Sequence, residues 1–255
     1  MIVLQNDFKD ANIEKFVLDH ANEFCQCRTQ DLQKLTLSQI ALENPYLLKL
    51  HGRCFFDASC LVKFWLHTTL LSNDNIHFDR FLENATISLL TKLFQWEKSL
   101  RVESIVYLET TQSLHVVYIK SRISSNVSLF IKDSINALQV EAQQLVNPKN
   151  KSVKPIIGVC WGPNKRMDVG NALVVCGQNF WSLIDNRRDL FKQVLTVFSR
   201  TTQKHSAIYN GQKAAILNNL TKEFIERFCD AEGAIDWSRL VEFNSGNYDL
   251  DKFGK

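Results

Sequence analysis

Residues 102–121, with the sequence VESIVYLETTQSLHVVYIKS, decide the fold of this chain. Two segments, 102–109 and 114–120, are rich in Val, Ile, Tyr and Leu, and the polar residues 110–113 join them. This composition is typical of two antiparallel strands connected by a turn. The second segment ends in Lys120, after a largely apolar run. We therefore predict a β-hairpin that carries a lysine at the end of its second strand.

Outward from the hairpin, the hydrophobic pattern predicts helices on both sides and two further strands. Helical spacing of apolar residues predicts four helices before the hairpin, at 10–24, 29–42 (with Thr29 as its cap), 60–71 and 78–96. After the hairpin we predict a helix at 129–145, a buried strand at 155–161, a strand at 172–176, a helix from 178, and helices at 190–198 and 214–228. This order predicts an α/β fold.

The length and composition predict one large globular domain. The chain has 255 residues, of which 45% are hydrophobic and 22% charged, enough apolar material for a substantial core. We expect a helical N-terminal part at 1–75, a core at 76–185 and a helical C-terminal part at 186–255. No apolar run approaches the roughly 20 residues that cross a bilayer, and the N-terminus lacks the features of a signal peptide. We therefore expect a cytoplasmic protein without a membrane partner.

Cysteine and charge content narrow the chemistry only slightly. The seven cysteines form an odd, scattered set, which favours reduced thiols over a disulfide framework, and no second close pair accompanies Cys25 and Cys27 to form a zinc site. The net charge of +3 identifies no partner. The segment 142–166, however, contains five basic residues and no acidic one: Lys149, Lys151, Lys154, Lys165 and Arg166. This segment either faces phosphate or forms a solvated loop.

Several short motifs together resemble a known family. They are, in order, 44–47 (NPYL), 81–83 (FLE), 119–121 (IKS), Cys160 before an aromatic residue and Gly162, 176–178 (CGQ) before 180–181 (FW), 235–237 (IDW) and 243–246 (FNSG). Each piece alone is unspecific. In this order they resemble bacterial type II restriction endonucleases of the PD-(D/E)XK nuclease superfamily, over roughly residues 44–246.

The resemblance implies a fold, an activity and a cofactor. The fold would be a restriction-endonuclease-like mixed central sheet flanked by helices, with helical N-terminal and C-terminal extensions. The activity would be sequence-specific cleavage of double-stranded DNA by a homodimer that uses Mg²⁺. Hydrolysis of a phosphodiester in such enzymes needs carboxylate oxygens to hold the metal and a lysine to stabilise developing negative charge.

Transferred position by position, the family motif is incomplete in this chain. Lys120 matches the family lysine, and Glu83 matches a glutamate on the preceding helix that would be a metal ligand. Val106 stands where we place the family aspartate, and Tyr118 occupies the acidic position two residues before the lysine. Glu103 and Glu109 are possible substitutes, but both differ from Val106 by an odd number of residues and so point to the other face of a strand.

Three hypotheses follow for the function. The first is a DNA-binding endonuclease relative with impaired or lost hydrolysis, whose candidate phosphate contacts are Arg122 and the basic residues of 142–166, together with the pair Arg187 and Arg188. The second is an active Mg²⁺-dependent endonuclease that uses Glu83 and Lys120. The third is a non-catalytic assembly protein. Without the resemblance, Lys120 and Glu83 would be ordinary solvated residues, and Trp161, Trp181 and Trp237 would be core anchors.

Overall fold

The computed structural model describes residues 10–42, 57–109, 112–123, 127–144, 152–185 and 189–245, with the side chains of 10–12, 127–129, 131 and 142–144 excepted. Its helices are α1 (Asp10–Lys34), α2 (Leu37–Leu42), α3 (Ala58–Ser88), α4 (Val127–Gln144), α5 (Gln178–Ile184), α6 (Leu190–Phe228) and α7 (Trp237–Asn244). Its strands are β1 (Glu97–Lys98), β2 (Ile105–Glu109), β3 (Ser113–Arg122), β4 (Ser152–Trp161), β5 (Arg166–Val169) and β6 (Ala172–Cys176). A short π-helical turn, Leu89–Leu93, follows α3.

The chain divides into two compact units. The sheet unit comprises residues 1–24 and 77–203, and the helical unit comprises residues 25–76 and 204–255. The boundaries after residues 24, 76 and 203 fall inside α1, α3 and α6, so helices rather than loops connect the units. The expected division at residues 75 and 185 remains a prediction.

The sheet unit contains a six-stranded mixed sheet in the order β1-β2-β3-β4-β6-β5. β2 and β3 form the antiparallel hairpin predicted from the sequence, in which Val106 lies opposite Val117. β4 runs parallel to both β3 and β6, as expected for a buried central strand reached through the crossover helix α4. β5 closes the other edge antiparallel to β6.

The two faces of this sheet are covered by different helices. One face packs on α4, where Leu138 joins a cluster with Val116, Ile157 and Val174. On the other face, Gly158 lies against the ring of Phe180 from α5; a Cβ at Gly158 would be 2.2 Å from Cε2 of that ring. Trp181 of α5 is fully buried and donates from Nε1 to the Cys160 carbonyl at 2.8 Å. Helices therefore pack on both faces of the sheet.

The helical unit has its own core. Buried apolar side chains from α1, α2, α3, α6 and α7 form it, among them Leu32, Trp65, Phe224 and Leu240. Trp65 and Phe224 meet edge to face with ring centroids 5.8 Å apart. Trp237 packs against this cluster while partly buried, as the sequence predicted.

Three predicted gaps between helices lie inside continuous helices, and one real break lies elsewhere. The gap expected near Thr29 lies inside α1, where the Thr29 hydroxyl donates to the Cys25 carbonyl at 2.9 Å instead of capping a new helix. The real break comes at Thr36, whose Oγ1 accepts from the Gln39 amide. The gaps expected at 72–77 and 199–213 lie inside α3 and α6. These windows are polar but contain no proline, so the backbone continues through them.

Candidate functional site

Lys120 lies near the end of β3 on the face of the sheet that packs on α4. Its side chain is half-buried, and Nζ lies 4.7 Å from the centroid of the Tyr118 ring, two residues earlier on the same strand. Tyr118 is opposite Ile105 in β2, and Lys120 is level with Val159 in β4. The strand positions that surround the ammonium group are therefore aromatic or aliphatic.

Glu83 of α3 lies at the same end of the hairpin. Its Oε1 accepts a hydrogen bond from the backbone amide of Ser121 at 3.0 Å. The amide of Ile119 donates to the Ser104 carbonyl, just before β2. The next β3 amide that points toward the hairpin partner is that of Ser121, and β2 does not extend far enough to pair with it. Glu83 thus accepts the bond that a longer β2 would accept, because a partly buried amide needs a partner.

Arg122 at the end of β3 is paired with an acidic residue of the same helix. Its Nη2 lies 3.0 Å from Oδ2 of Asp79, one turn before Glu83 in α3. The arginine side chain is 53% exposed, so solvent screens this ion pair and leaves part of the guanidinium accessible. α3 therefore supplies two carboxylates to the end of β3, and both are engaged by that strand.

Val106 lies on the opposite face of the hairpin from Lys120. It is fully buried and opposite Val117, and Val117 is an odd number of residues from Lys120. Directly opposed residues of an antiparallel pair share a face, and alternate residues of a strand point to opposite faces. The position that faces the same side as Tyr118 and Lys120 is Ile105. An aspartate at position 106 would point into the core of the other face, so the register does not support our placement of the family aspartate.

Glu103 and Glu109 differ in their distance from the lysine. Glu109 is opposite Leu114 and shares the face of Lys120, but it lies six residues away along β3, about 20 Å at 3.3 Å per residue. Glu103 is exposed in the turn just before β2, next to Ser104, whose carbonyl accepts from Ile119. Glu103 is therefore the nearer of the two to the lysine end of the hairpin.

The basic residues predicted to contact DNA lie at two different ends of the sheet. Lys154 is level with His115 near the start of β3, far from Lys120. Lys165 is exposed at the other end, where its carbonyl accepts from the amide of Cys176, and Cys176 is level with Val159. Arg166 follows it in β5. Lys149, Lys151, Arg187 and Arg188 lie outside the described residues.

One residue near this end differs from the sequence prediction. Trp161, expected to be a core anchor, is 49% exposed and level with Arg122 at the end of β4, with its ring 5.5 Å from that of Phe191. The signal was the following Gly-Pro pair, which ends the strand at the surface. Cys160, beside it, is fully buried, and burial raises the pKa of its thiol to about 12. Cys160 is therefore an inert core residue.

The donor set at this end does not match a magnesium site. Mg²⁺ in proteins is held by carboxylate oxygens in near-octahedral geometry, and the strand positions around Lys120 carry an isoleucine and a tyrosine instead. Within the described ranges, no group of three or more His, Cys, Asp or Glu side chains is arranged to hold a metal ion. Glu83 contributes a single carboxylate.

Comparison with protein families identifies the group to which these features belong. A family model described as "Type II restriction endonuclease EcoO109I" matches residues 11–206, more than half of the chain. The chain belongs to this family. The mixed six-stranded sheet flanked by helices is the restriction-endonuclease-like fold, so the fold class predicted from the sequence is confirmed. No curated protein matches the chain.

The match places most of the described site inside the type II restriction endonuclease family region. It includes the hairpin, Glu83 and β4 through α5, and it ends within α6. The motif pieces at 44–47 and at residue 246 lie outside the described residues. No helix in the described ranges is both long and apolar enough to cross a membrane.

Proposed function

We propose that this member of the type II restriction endonuclease family binds double-stranded DNA and that its metal-dependent phosphodiester hydrolysis is impaired or lost. One observation carries the proposal. On the face of the hairpin that carries Lys120, the two strand positions suited to metal-binding carboxylates hold Ile105 and Tyr118. Lys120, which we match to the family lysine, therefore has no carboxylate at either of these two strand positions.

The chemistry of Mg²⁺ explains why this composition matters. The ion loses its water ligands reluctantly, and binding normally requires one or two carboxylates besides the substrate phosphate. Ile105 offers no oxygen, and the phenol of Tyr118 is a weak ligand compared with a carboxylate. Glu83 already accepts from the Ser121 amide. The residues present do not fit the ion.

The basic residues at this end of the sheet support the DNA-binding part of the proposal. Lys120 and Arg122 lie on one strand, and Lys165 is exposed at the same end of the sheet. Each can donate hydrogen bonds to phosphate oxygens, which supplies affinity without reading the sequence. Trp161 adds an exposed ring beside Arg122. Lys154, at the far end, belongs to a different surface.

A second candidate function is cleavage with a rearranged set of ligands. The hydrogen bond from Ser121 holds the Glu83 carboxylate next to the residue that follows Lys120, and Glu103 lies in the turn just before β2. These two carboxylates approach the lysine end from α3 and from the turn before the hairpin. If they hold Mg²⁺ with a bound phosphate, the protein is an active endonuclease that uses Glu83 and Lys120.

A plasmid-cleavage assay separates these two functions. With Mg²⁺ or Mn²⁺ we expect no site-specific cutting by the wild type, and discrete cutting by Tyr118→Glu or by the double variant that adds Ile105→Asp. The matched controls are Tyr118→Gln and Ile105→Asn, which preserve size and polarity without the charge. Discrete cutting by the wild type that Glu83→Gln or Glu103→Gln abolishes would establish the second function instead. Circular dichroism confirms that each variant is folded.

DNA binding is tested separately from cutting. We expect affinity for duplex DNA to fall steeply with salt, because phosphate contacts release condensed counterions. Arg122→Gln and Lys165→Gln should each reduce the slope of log K against log salt by about one. The control is Lys222→Gln in α6, whose side chain is 79% exposed and pairs with Glu226. Salt-independent or undetectable binding would favour the assembly function.

The homodimer is also part of the proposal. A twofold axis in the protein matches the symmetry of a palindromic DNA site, so two copies would each engage one half-site. Sedimentation equilibrium of the full chain, with and without duplex DNA, measures the stoichiometry directly. A monomer under both conditions would rule out symmetric recognition.

A further inference from the structure

A cleft of about 670 Å³ opens on the sheet face opposite Lys120. Its floor is formed by β3, β4 and β6, its sides by β5 and by α5, and its lining includes Pro155, Ile156, Leu173 and Val175. Alternate residues of these strands point to one face, and His115, level with Lys154, belongs to the same face. The cleft is therefore separated from the Lys120 face by the thickness of the sheet. Its volume lies in the range of small-molecule sites.

The rim of the cleft is positively charged. Lys154 enters from β4 and Arg166 from β5, and no ion pair occupies either of them within the described ranges. Asp168 is the one acidic residue of the lining, two positions along β5 from Arg166, and it leaves one net positive charge. Lys154 and Arg166 are four residues apart in strand register, and a lysine and the planar fork of an arginine that face one opening are suited to phosphate.

Further polar groups of the cleft lining point to a ligand with more than a phosphate. His115 is 4% exposed; its Nε2 lies 2.9 Å from the Ser113 hydroxyl, and its buried Nδ1 has no hydrogen-bond partner. Burial, with a smaller effect of the Lys154 charge, lowers the pKa of His115, so the ring is neutral at pH 7. Asn171, Asn179 and Ser182 add amide and hydroxyl groups. A buried nitrogen without a hydrogen-bond partner, such as Nδ1 of His115, lowers the stability of the folded protein unless another interaction compensates.

The floor of the cleft complements the charged rim. On the cleft face, Ile156, Leu173 and Val175 form an apolar floor on which a planar ring can pack, while the amides and Asp168 can bond to ring nitrogens or to sugar hydroxyls. We propose that this cleft binds a small phosphate monoester with a planar apolar body, of which a nucleoside monophosphate is the simplest example. The phosphate contacts Lys154 and Arg166, and the ring lies on the apolar floor.

Two sources supply this chemistry: a free nucleotide and the phosphorylated end of a DNA strand. Both present a phosphate monoester attached to a nucleoside. The inference does not depend on the proposed function, because the cleft and the Lys120 face are on opposite sides of the sheet. It reassigns Lys154 and Arg166 from the predicted DNA contacts to this ligand.

Calorimetric titration of the full chain with adenosine monophosphate tests the proposal. We expect saturable binding that is about tenfold weaker or more in Lys154→Gln and Arg166→Gln, because each loses one charge-assisted bond. Both side chains are exposed, so these variants should fold. The matched control is Lys222→Gln in α6, which is exposed and outside the cleft lining and should bind like the wild type. Adenosine and ribose phosphate should each bind more weakly, since each lacks one half of the ligand.

Three results of these titrations would overturn the proposal. They are no binding of adenosine monophosphate at millimolar concentration, binding that both cleft variants leave unchanged, and binding that inorganic phosphate equals. Competition by a short duplex with phosphorylated ends, compared with the same duplex carrying hydroxyl ends, identifies the source. Competition by the phosphorylated duplex alone upholds the proposal with DNA ends as the ligand. Failure of both duplexes to compete upholds it with free nucleotide.

Discussion

The two faces of the β2–β3 hairpin differ in what they tolerate. On one face, Val106 and Val117 are directly opposed and fully buried. On the other, Tyr118 and Lys120 are half-buried, with the ammonium group over the tyrosine ring. The first face is closed at these positions, whereas the second, which also buries Ile105, leaves Tyr118 and Lys120 able to meet a ligand. A shift of one residue in the strand pairing would move a side chain from one face to the other.

This difference changes where the missing carboxylates should be sought. The sequence placed the loss at Val106, on the buried face. The pairing of the strands puts Ile105 and Tyr118 on the face of the lysine, and we propose that the missing carboxylates belong there. An acidic residue at 118 would stand at a half-buried surface, whereas one at 106 would be enclosed by apolar side chains. The difference can be tested by introducing an acidic residue on each face and measuring the free energy of unfolding.

The largest expected effect comes from a charge on the buried face. Val106→Asp should lower the free energy of unfolding by about 3 kcal/mol or more, since an unpaired carboxyl group would be buried among apolar side chains. Tyr118→Glu, on the other face, should cost about 1 kcal/mol or less because its carboxylate can reach water. Urea denaturation measures both. Equal losses at the two positions would contradict the assignment of the faces.

A crowded contact on the Val106 side of the sheet gives the next largest effect. Gly158 is level with Ile119, and a Cβ there would meet the Phe180 ring at 2.2 Å. Gly158→Ala should therefore cost about 1–3 kcal/mol through forced movement of the ring. Gly211→Ala, inside α6 with open space around it, is the control and should stabilise by up to about 1 kcal/mol. An unchanged melting temperature for Gly158→Ala would show that the ring has room to move.

The end of the hairpin should respond to loss of an acceptor. Glu83→Ala leaves the Ser121 amide without its partner and should cost about 1–2 kcal/mol of unfolding free energy. Glu83→Gln keeps an oxygen in place and should recover most of that loss. Hydrogen exchange of the Ser121 amide reports the same bond, and should accelerate in the alanine variant alone. Exchange that is fast in the wild type would mean that the bond is not formed in solution.

The smallest expected effect is a dependence of stability on pH from the buried face. Burial lowers the pKa of His115 below 6.5, so the unfolded chain binds a proton at higher pH than the folded chain does. This contribution to stability is complete above about pH 6.5 and declines as the pH falls below that value. His115→Gln should flatten the decline between pH 7 and pH 5, whereas His205→Gln in α6, an exposed histidine, should not. Unfolding free energies measured at several pH values check it.

The sequence predicted the sheet unit better than the helices. Alternation and β-branched composition marked β2, β3, β4 and β6, and helical periodicity marked α4, because each segment buries its own apolar pattern. The windows inside α1, α3 and α6 looked like loops because they are mostly polar and break the apolar periodicity. No proline interrupts them, and local hydrogen bonds such as that from Thr29 to Cys25 are compatible with a continuous helix.

The candidate site divides in the same way. The sequence by itself determined the family motif, the lysine at position 120, the glutamate at position 83 and the absence of an acid at position 118. Only the tertiary structure decided that Glu83 bonds to Ser121, that Val106 faces away from the lysine, and that Lys154 and Arg166 line one cleft. The reason is physical. Residue identity and periodicity are local, but the face of a strand and the partner of a side chain depend on register and on packing between segments distant in the chain.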